Sequence, residues 1–246
     1  MSRSPSGNSS GSAGSDPTTE EQRIRGVYAA RPDGDERYSW LQESYRLMMH
    51  SAERGLLRAL SHAGYRHLRD AEVLEVGCGT GHWLRAMVEW GVAPEGLVGI
   101  DLLGDRLTKA RRLLPPSVRL ATASGAALPF RDRRFDIVLQ STVFTSILDA
   151  GVRARVAEEM RRVLRPGGLI LWYDFLVDNP ANPNVRGMRR SEVERLFPAC
   201  TIELSRVTLA PPLARALAGR SSLLAQLLSG VPFLCTHYVG VLRPQG

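Results

Sequence analysis

The chain has 246 residues, 43% of them hydrophobic and 23% charged, and a formal net charge of +7. That length predicts one domain with some decoration, and the hydrophobic share is ordinary for a globular core. No uninterrupted apolar run reaches membrane-spanning length, which excludes stable membrane insertion; the positive charge, almost all arginine with Lys109 the sole lysine, is interspersed with Asp and Glu, which speaks against a nucleic-acid partner.

Residues 1–20 are rich in Ser and Gly and nearly free of large apolar side chains, which predicts a disordered tail. No apolar h-region marks a secretory signal. Cys78, Cys200 and Cys235 form neither a metal-type spacing nor an even set, so a reducing, cytoplasmic setting is expected. Residues 21–70 read as an N-terminal helical cap: a polar approach over 21–37, then a helix from Tyr38 to Gly64 in which Leu41, Tyr45, Met48 and Met49 recur at helical spacing.

From Val73 onward strands and helices alternate. Strands are predicted near 72–76, 97–101, 118–122, 135–140 and 168–175, with helices near 81–90, 104–114 and 150–164. Pro115-Pro116 stops one helix, and Pro166-Gly167-Gly168 turns another into its strand. This β-α-β rhythm predicts an α/β fold, a parallel sheet with helices on both faces, over residues 71–246. The tail reads as a short helix over 190–197, a strand over 202–209, a helix over 212–229 and a strand over 234–242. The 212–229 helix is a helical insertion near 210–231, with an apolar leucine face interrupted by Arg215 and Arg220.

The chemistry concentrates at Val73-Leu74-Glu75-Val76-Gly77-Cys78-Gly79-Thr80-Gly81. An apolar strand carries an acid, then turns through three glycines spaced two apart into an amphipathic helix. Glycine lets backbone N–H groups approach a ligand closely, and the helix N-terminus beyond favours negative charge. A dinucleotide loop would read G-x-G-x-x-G, whereas here the third glycine comes one position early. No Gly-Lys-Ser/Thr follows, so this is not a P-loop. Cys78, inside the loop, reads as a small filler.

The string Glu75–Gly81 resembles the first motif of class I S-adenosylmethionine-dependent methyltransferases. Leu97-Val98-Gly99-Ile100-Asp101-Leu102 is similar to that family's second strand and its ribose-binding acid. Ala126-Ala127-Leu128-Pro129-Phe130, then Phe135-Asp136-Ile137-Val138, resemble its third and fourth motifs. Glu159–Gly168 resembles the helix and turn before its fifth strand. The resemblance covers about residues 70–175. It implies a Rossmann-like seven-stranded sheet, mostly parallel, whose antiparallel last strand is inserted beside the fifth. It also implies S-adenosyl-L-methionine as cofactor, S-adenosyl-L-homocysteine as product, and no metal.

Carried onto this sequence, the resemblance gives Glu75 the methionine amino end and lets Gly77, Cys78, Gly79 and Gly81 pass under the methionine and ribose. Asp101 accepts from the ribose hydroxyls, and Leu102 lies against adenine. Where the family commonly places an Asp for the adenine amino group this chain has Ser124, so the backbone of Gly125 and Ala126 is expected to contribute more. Gln140 closes the fourth strand near the sulfonium, and its alternative is a polar strand end bonded to backbone. Tyr28 and Tyr38 are aromatic candidates to fold over the cofactor, with plain helix packing the alternative.

For catalysis, Asp174 closes the fifth strand and His237 lies near the start of the last. Antiparallel pairing of those strands brings the two residues near one another, and a carboxylate-oriented imidazole would then take a hydroxyl proton. A structural Asp–His contact is the alternative, and His82 is a second candidate base. The turn-rich stretch 178–186 with Arg186, Arg189 and Arg190 is a candidate wall for an anionic group. The reading is O-methylation of a small molecule, a glycan, glycolipid precursor or secondary metabolite, by a monomer or homodimer. Nitrogen or carbon acceptors, and a non-catalytic cofactor-binding module, are the alternatives.

Overall fold

The computed structural model describes residues 17–30, 36–217 and 221–245. Its elements are, in order, α1 (Pro17–Ala29), α2 (Glu43–His62), β1 (Val73–Val76), α3 (His82–Glu89), β2 (Leu97–Asp101), α4 (Gly104–Arg111), β3 (Arg119–Thr122), β4 (Phe135–Ser141), α5 (Ala150–Arg162), β5 (Leu164–Phe175), α6 (Arg190–Leu196), β6 (Cys200–Leu209), α7 (Pro211–Leu217), α8 (Ser222–Ser229) and β7 (Cys235–Pro244).

The strands form one sheet in the order β3-β2-β1-β4-β5-β7-β6. β1 to β5 pair in parallel, and β7 runs antiparallel between β5 and β6. This is the Rossmann-like seven-stranded arrangement that the motifs imply. Both faces are covered, so the central strands are apolar on both sides and alternate between two cores. Val73, Leu97, Ile137, Leu139, Leu169 and Leu171 pack towards α2, α3 and α4. Leu74, Val98, Ile100, Val138, Ile170 and Trp172 pack towards α5 and α6.

Helix α2 crosses the C-terminal half of the sheet at close range. A Cβ on Gly55 would come within 2.9 Å of Val239 Cγ1, so the bare glycine sets that approach. Arg153, buried on α5, is ion-paired with Glu192 of α6 and donates to Leu148 O at 3.0 Å, which ties the two helices together. A third, smaller cluster, Leu209, Ala214 and Ala225 with Leu47 and Leu228, seats α7 and α8.

Several boundaries differ from expectation: α2 begins at Glu43 rather than Tyr38, which leaves Leu41 outside the helix and exposed, and β5 begins at Leu164, so Pro166-Gly167-Gly168 lies within the strand instead of turning into it. Residues 1–16 of the expected tail lie outside the described residues, but helix starts at Pro17, so residues 17–20 belong to α1. Only Glu20 and Ile24 of α1 are buried, and polar contacts to distant loops hold it, which apolar periodicity does not register. The helix expected over 212–229 contains α7 and α8; residues 218–220, with Arg220, lie outside the described residues.

Candidate active site

The loop after β1 is shaped by its glycines. Gly77, Gly79 and Gly81 have φ of 72°, 54° and 77°, left-handed values that side chains rarely adopt. A Cβ would also meet Val143 Cγ2 at 2.6 Å from Gly77, Arg106 at 2.9 Å from Gly79 and Leu114 Cδ1 at 2.7 Å from Gly81. Cys78 anchors the bend, its N–H donating to Ile100 O and its carbonyl accepting from Gly81 N, both at 2.8 Å. Its thiol is buried, and burial pushes its pKa up, which disfavours the thiolate that a nucleophile would need.

Two carboxylates face this bend. Asp101 Oδ2 accepts from Gly79 N at 2.8 Å, and Oδ1 accepts from Leu103 N at 2.9 Å. Each oxygen keeps capacity for a further donor. Glu75 is 2% exposed, and burial first, then the neighbouring Asp101, raises its pKa well above the ordinary range. Its Oε2 has no hydrogen-bond partner among the described residues. A buried acceptor without a donor, beside a bend whose glycines hold the backbone bare, fits a ligand that brings its own ammonium and hydroxyl groups. The residues present therefore fit S-adenosylmethionine.

The expected adenine-side residues line the next three strand ends. Leu102 packs partly buried against the second core. Ser124 Oγ donates to Glu21 and accepts from Ala126 N at 3.0 Å, and Gly125 lies against Val76. Gln140 is fully buried, its Nε2 donating to Tyr173 O at 3.4 Å and its Oε1 accepting from Val143 N at 3.2 Å, so it bonds the backbone around its strand end.

Sequence reasoning missed the clasp over these ends. From α1, Arg25 donates to Leu102 O after β2, Glu21 takes Ser124 after β3, and Arg23 donates to Ser146 O at 2.6 Å after β4. Tyr28, proposed from its aromatic character, places its hydroxyl 3.1 Å from Ser146 Oγ and carries the Arg106 guanidinium 5.0 Å from its ring centroid. Glu20 accepts from Leu148 N; burial opposes its charge, but Arg23 and the Leu148 amide hold its pKa below the usual carboxylate range. Arg106, one turn into the helix after Asp101, gave no signal beyond its position.

On the α2 face a run of rings approaches the glycine loop. Tyr38 is exposed and packs edge-on against Tyr45 at 6.0 Å; Trp40 stands 5.6 Å from His82; and Trp83 lies 6.3 Å from Tyr173. A cleft of about 300 Å³ opens between Trp40, His50, Glu53, His82 and Arg85. Burial, then Arg85, lowers the His82 pKa to about 4.

The structure does not bring Asp174 and His237 together. The β5–β7 register pairs His237 with Phe175 and Asp174 with Tyr238, so the two side chains leave opposite faces. Asp174 accepts from Thr145 Oγ1 at 2.7 Å, Phe175 N at 2.9 Å and Thr145 N at 3.3 Å. Burial raises its pKa to about 7, against the pull of those donors. His237 stacks on Tyr173, with centroids 4.8 Å apart and planes 7° apart, and touches Phe175. Its Nδ1 lies 3.1 Å from Thr236 Oγ1, and burial lowers its pKa to about 3, so it is neutral at pH 7.

The arginine wall is only partly gathered. Arg186, Arg189 and Arg195 share a cleft of about 280 Å³ with Asp178 and Glu192, whereas Arg190 pairs with Glu194 at 2.8 Å. Among the described residues no group of three or more His, Cys, Asp or Glu is placed to hold a metal ion.

Residues 73–168 match a family model described as a methyltransferase domain. The chain is 36% identical over 108 residues to the demethylmenaquinone methyltransferase of Geobacillus stearothermophilus, covering 41% of this chain and 44% of the relative. It is 32% identical over 127 residues to the enzyme of that name from Listeria welshimeri, covering 50% of each. The chain thus spans about half the length of the curated relatives it matches. Among solved structures it is similar to the 1,6-didemethyltoxoflavin-N1-methyltransferase of Burkholderia thailandensis, crystallised with 1,6-didemethyltoxoflavin and S-adenosylhomocysteine. The TM-score is 0.64 at 19% identity, over 94% of this chain and 92% of that one. An S-adenosylmethionine-dependent methyltransferase from Mesorhizobium loti gives a TM-score of 0.57 at 17% identity, over 77% and 97%. The likeness to these structures is one of fold.

Proposed function

We propose that this protein, whose residues 73–168 match a methyltransferase-domain family model, transfers a methyl group from S-adenosylmethionine to a small molecule. The observation that carries the reading is the unpartnered Glu75 oxygen beside the glycine cradle and Asp101. Glu75 would take the methionine amino group, and the spare lone pairs of Asp101 the ribose hydroxyls. Leu102 and Ser124 to Ala126 would border adenine, and Gln140 would hold the β4 end where the methyl group departs. Tyr38 would close the outer side. When bound, the cofactor supplies a methyl already activated by its sulfonium. The protein's task is to align the acceptor and exclude water. A monomer or homodimer in the cytoplasm, with an acceptor that is neutral or anionic, completes the reading.

A hydroxyl acceptor remains the proposal, with His237 acting without Asp174. A neutral imidazole is in the form that accepts a proton, but one pushed to about pKa 3 is a weak base. That restricts it to acidic hydroxyls, such as phenols or enols. The same weakness favours the second reading, an amine acceptor that arrives with its lone pair free.

The first test is cofactor binding. Asp101→Ala is expected to weaken S-adenosylhomocysteine by about 1–3 kcal/mol in a calorimetric titration; unchanged affinity would remove the ribose assignment. The acceptor is sought by mass spectrometry of metabolite extracts incubated with protein and methyl-labelled cofactor.

A further inference from the structure

We propose that the outer face of α8 and the turn after it dock on an anionic lipid bilayer surface. The helix buries Ala225 and packs Leu228 into the third cluster, while Leu223 and Leu227, one turn apart, are 67% and 64% exposed. Phe233, in the turn that leads into β7, is 76% exposed. Its other outward side chains, Leu224 and Gln226, are also uncharged. A solvated helix face normally carries charge, and apolar side chains gathered this way mark an interaction surface.

Charge selects the partner. From Leu204 to Gly246 the sequence has no Asp or Glu, but has Arg206, Arg215, Arg220 and Arg243. Of these, Arg206 and Arg215 are exposed, and Arg206 lies close enough to Cys235, beside the turn, to act on its thiol. Three protruding apolar side chains flanked by arginines, with no carboxylate in their own stretch of the chain, match a surface of acyl chains beneath anionic headgroups. An acidic protein would satisfy the arginines but leave the three apolar tips without a purpose. Placement adds to this: β6 runs parallel to β5, so α7 and α8 sit at the end of the sheet where β5 closes and β7 begins, with His237 its third residue.

The experiment is co-sedimentation of the full chain with vesicles of phosphatidylcholine, alone or mixed with phosphatidylglycerol, with no cofactor or acceptor present. Binding is expected to the mixed vesicles, weakening as salt rises. The triple variant Leu223→Ser, Leu227→Ser, Phe233→Ser should lower the partition constant about tenfold or more, since it removes the inserting surface but no charge. The double variant Arg206→Glu, Arg215→Glu should lose binding to the mixed vesicles through charge alone. Thermal melts and S-adenosylhomocysteine titration establish that each variant is folded. Absence of wild-type binding would overturn the proposal. So would a folded triple variant that binds as well as wild type, or a wild-type dimer that this variant splits, because a second copy would then cover the face. The vesicle readout needs no turnover, so its failure and that of the methyl-transfer reading are separable.

Discussion

Where β5 ends, the two faces of the sheet treat buried polarity in opposite ways. On the α5–α6 face the buried charges are answered: Asp174 receives three hydrogen bonds, and Arg153 faces Glu192, while Arg153 Nε and Trp172 Nε1 are left without a hydrogen-bond partner among the described residues. On the α2 face His237 sits between rings, with the Thr236 hydroxyl beside one nitrogen, and its charge is suppressed. The first face is a scaffold whose buried charges are paired. The second stacks rings on a neutral imidazole, and this stack runs through Tyr173 and Trp83 to the helix that follows the glycine loop.

The contrast is broken most severely from the scaffold side. Glu192→Ala leaves the Arg153 guanidinium buried without its counter-charge, and is expected to cost about 3–5 kcal/mol in urea unfolding. A loss below about 1 kcal/mol would mean that Arg153 is better solvated than its burial indicates. Thr145→Val removes the shortest hydrogen bond to Asp174 and should cost about 1–3 kcal/mol, while raising the Asp174 pKa further. His237→Phe, on the other face, should cost under about 1.5 kcal/mol at pH 7, because one buried ring replaces another. It should nevertheless abolish turnover if the imidazole takes the proton.

The pH dependence sharpens the same contrast. His237 titrates near 6.5 when unfolded and near 3 when folded, so the unfolded chain gains protons first as pH falls. Its share of stability is present above about pH 6.5 and is lost as pH falls through the window towards 3. Asp174 has the opposite sign, its folded pKa of about 7 standing above its ordinary value of 3.8, so it favours the folded state more as pH falls through that range. Between pH 6.5 and 4.5 the melting temperature of wild type should therefore drop further than that of His237→Phe, with Asp174 common to both. Parallel curves would show that His237 is not buried in the neutral form.

The parallel half of the fold was legible because its signals are local. An apolar strand, an acid, a glycine bend and an amphipathic helix each declare themselves within a few residues, so Glu75, Gly77, Gly79, Gly81 and Asp101 fall where their pattern implies. The catalytic pair failed for a different reason. Antiparallel pairing of β5 with β7 was foreseeable, but a register offset of one residue decides which face each side chain takes, and nothing near Asp174 or His237 encodes it. Helix α1 was missed because its anchors, Glu20, Glu21, Arg23 and Arg25, act on loops more than 70 residues away.

The position of β7 has a consequence for the growing chain. β6 is made first, yet its neighbour in the sheet is β7, and residues 210–234 must be synthesised between them. Until then β5 presents an open edge and β6 has no backbone to join. A nascent polypeptide stalled within that interval would hold five correctly paired strands and one orphan, the state most exposed to pairing with another molecule. Closure of this sheet is thus a late event that no amount of stability in the glycine-loop half can hasten.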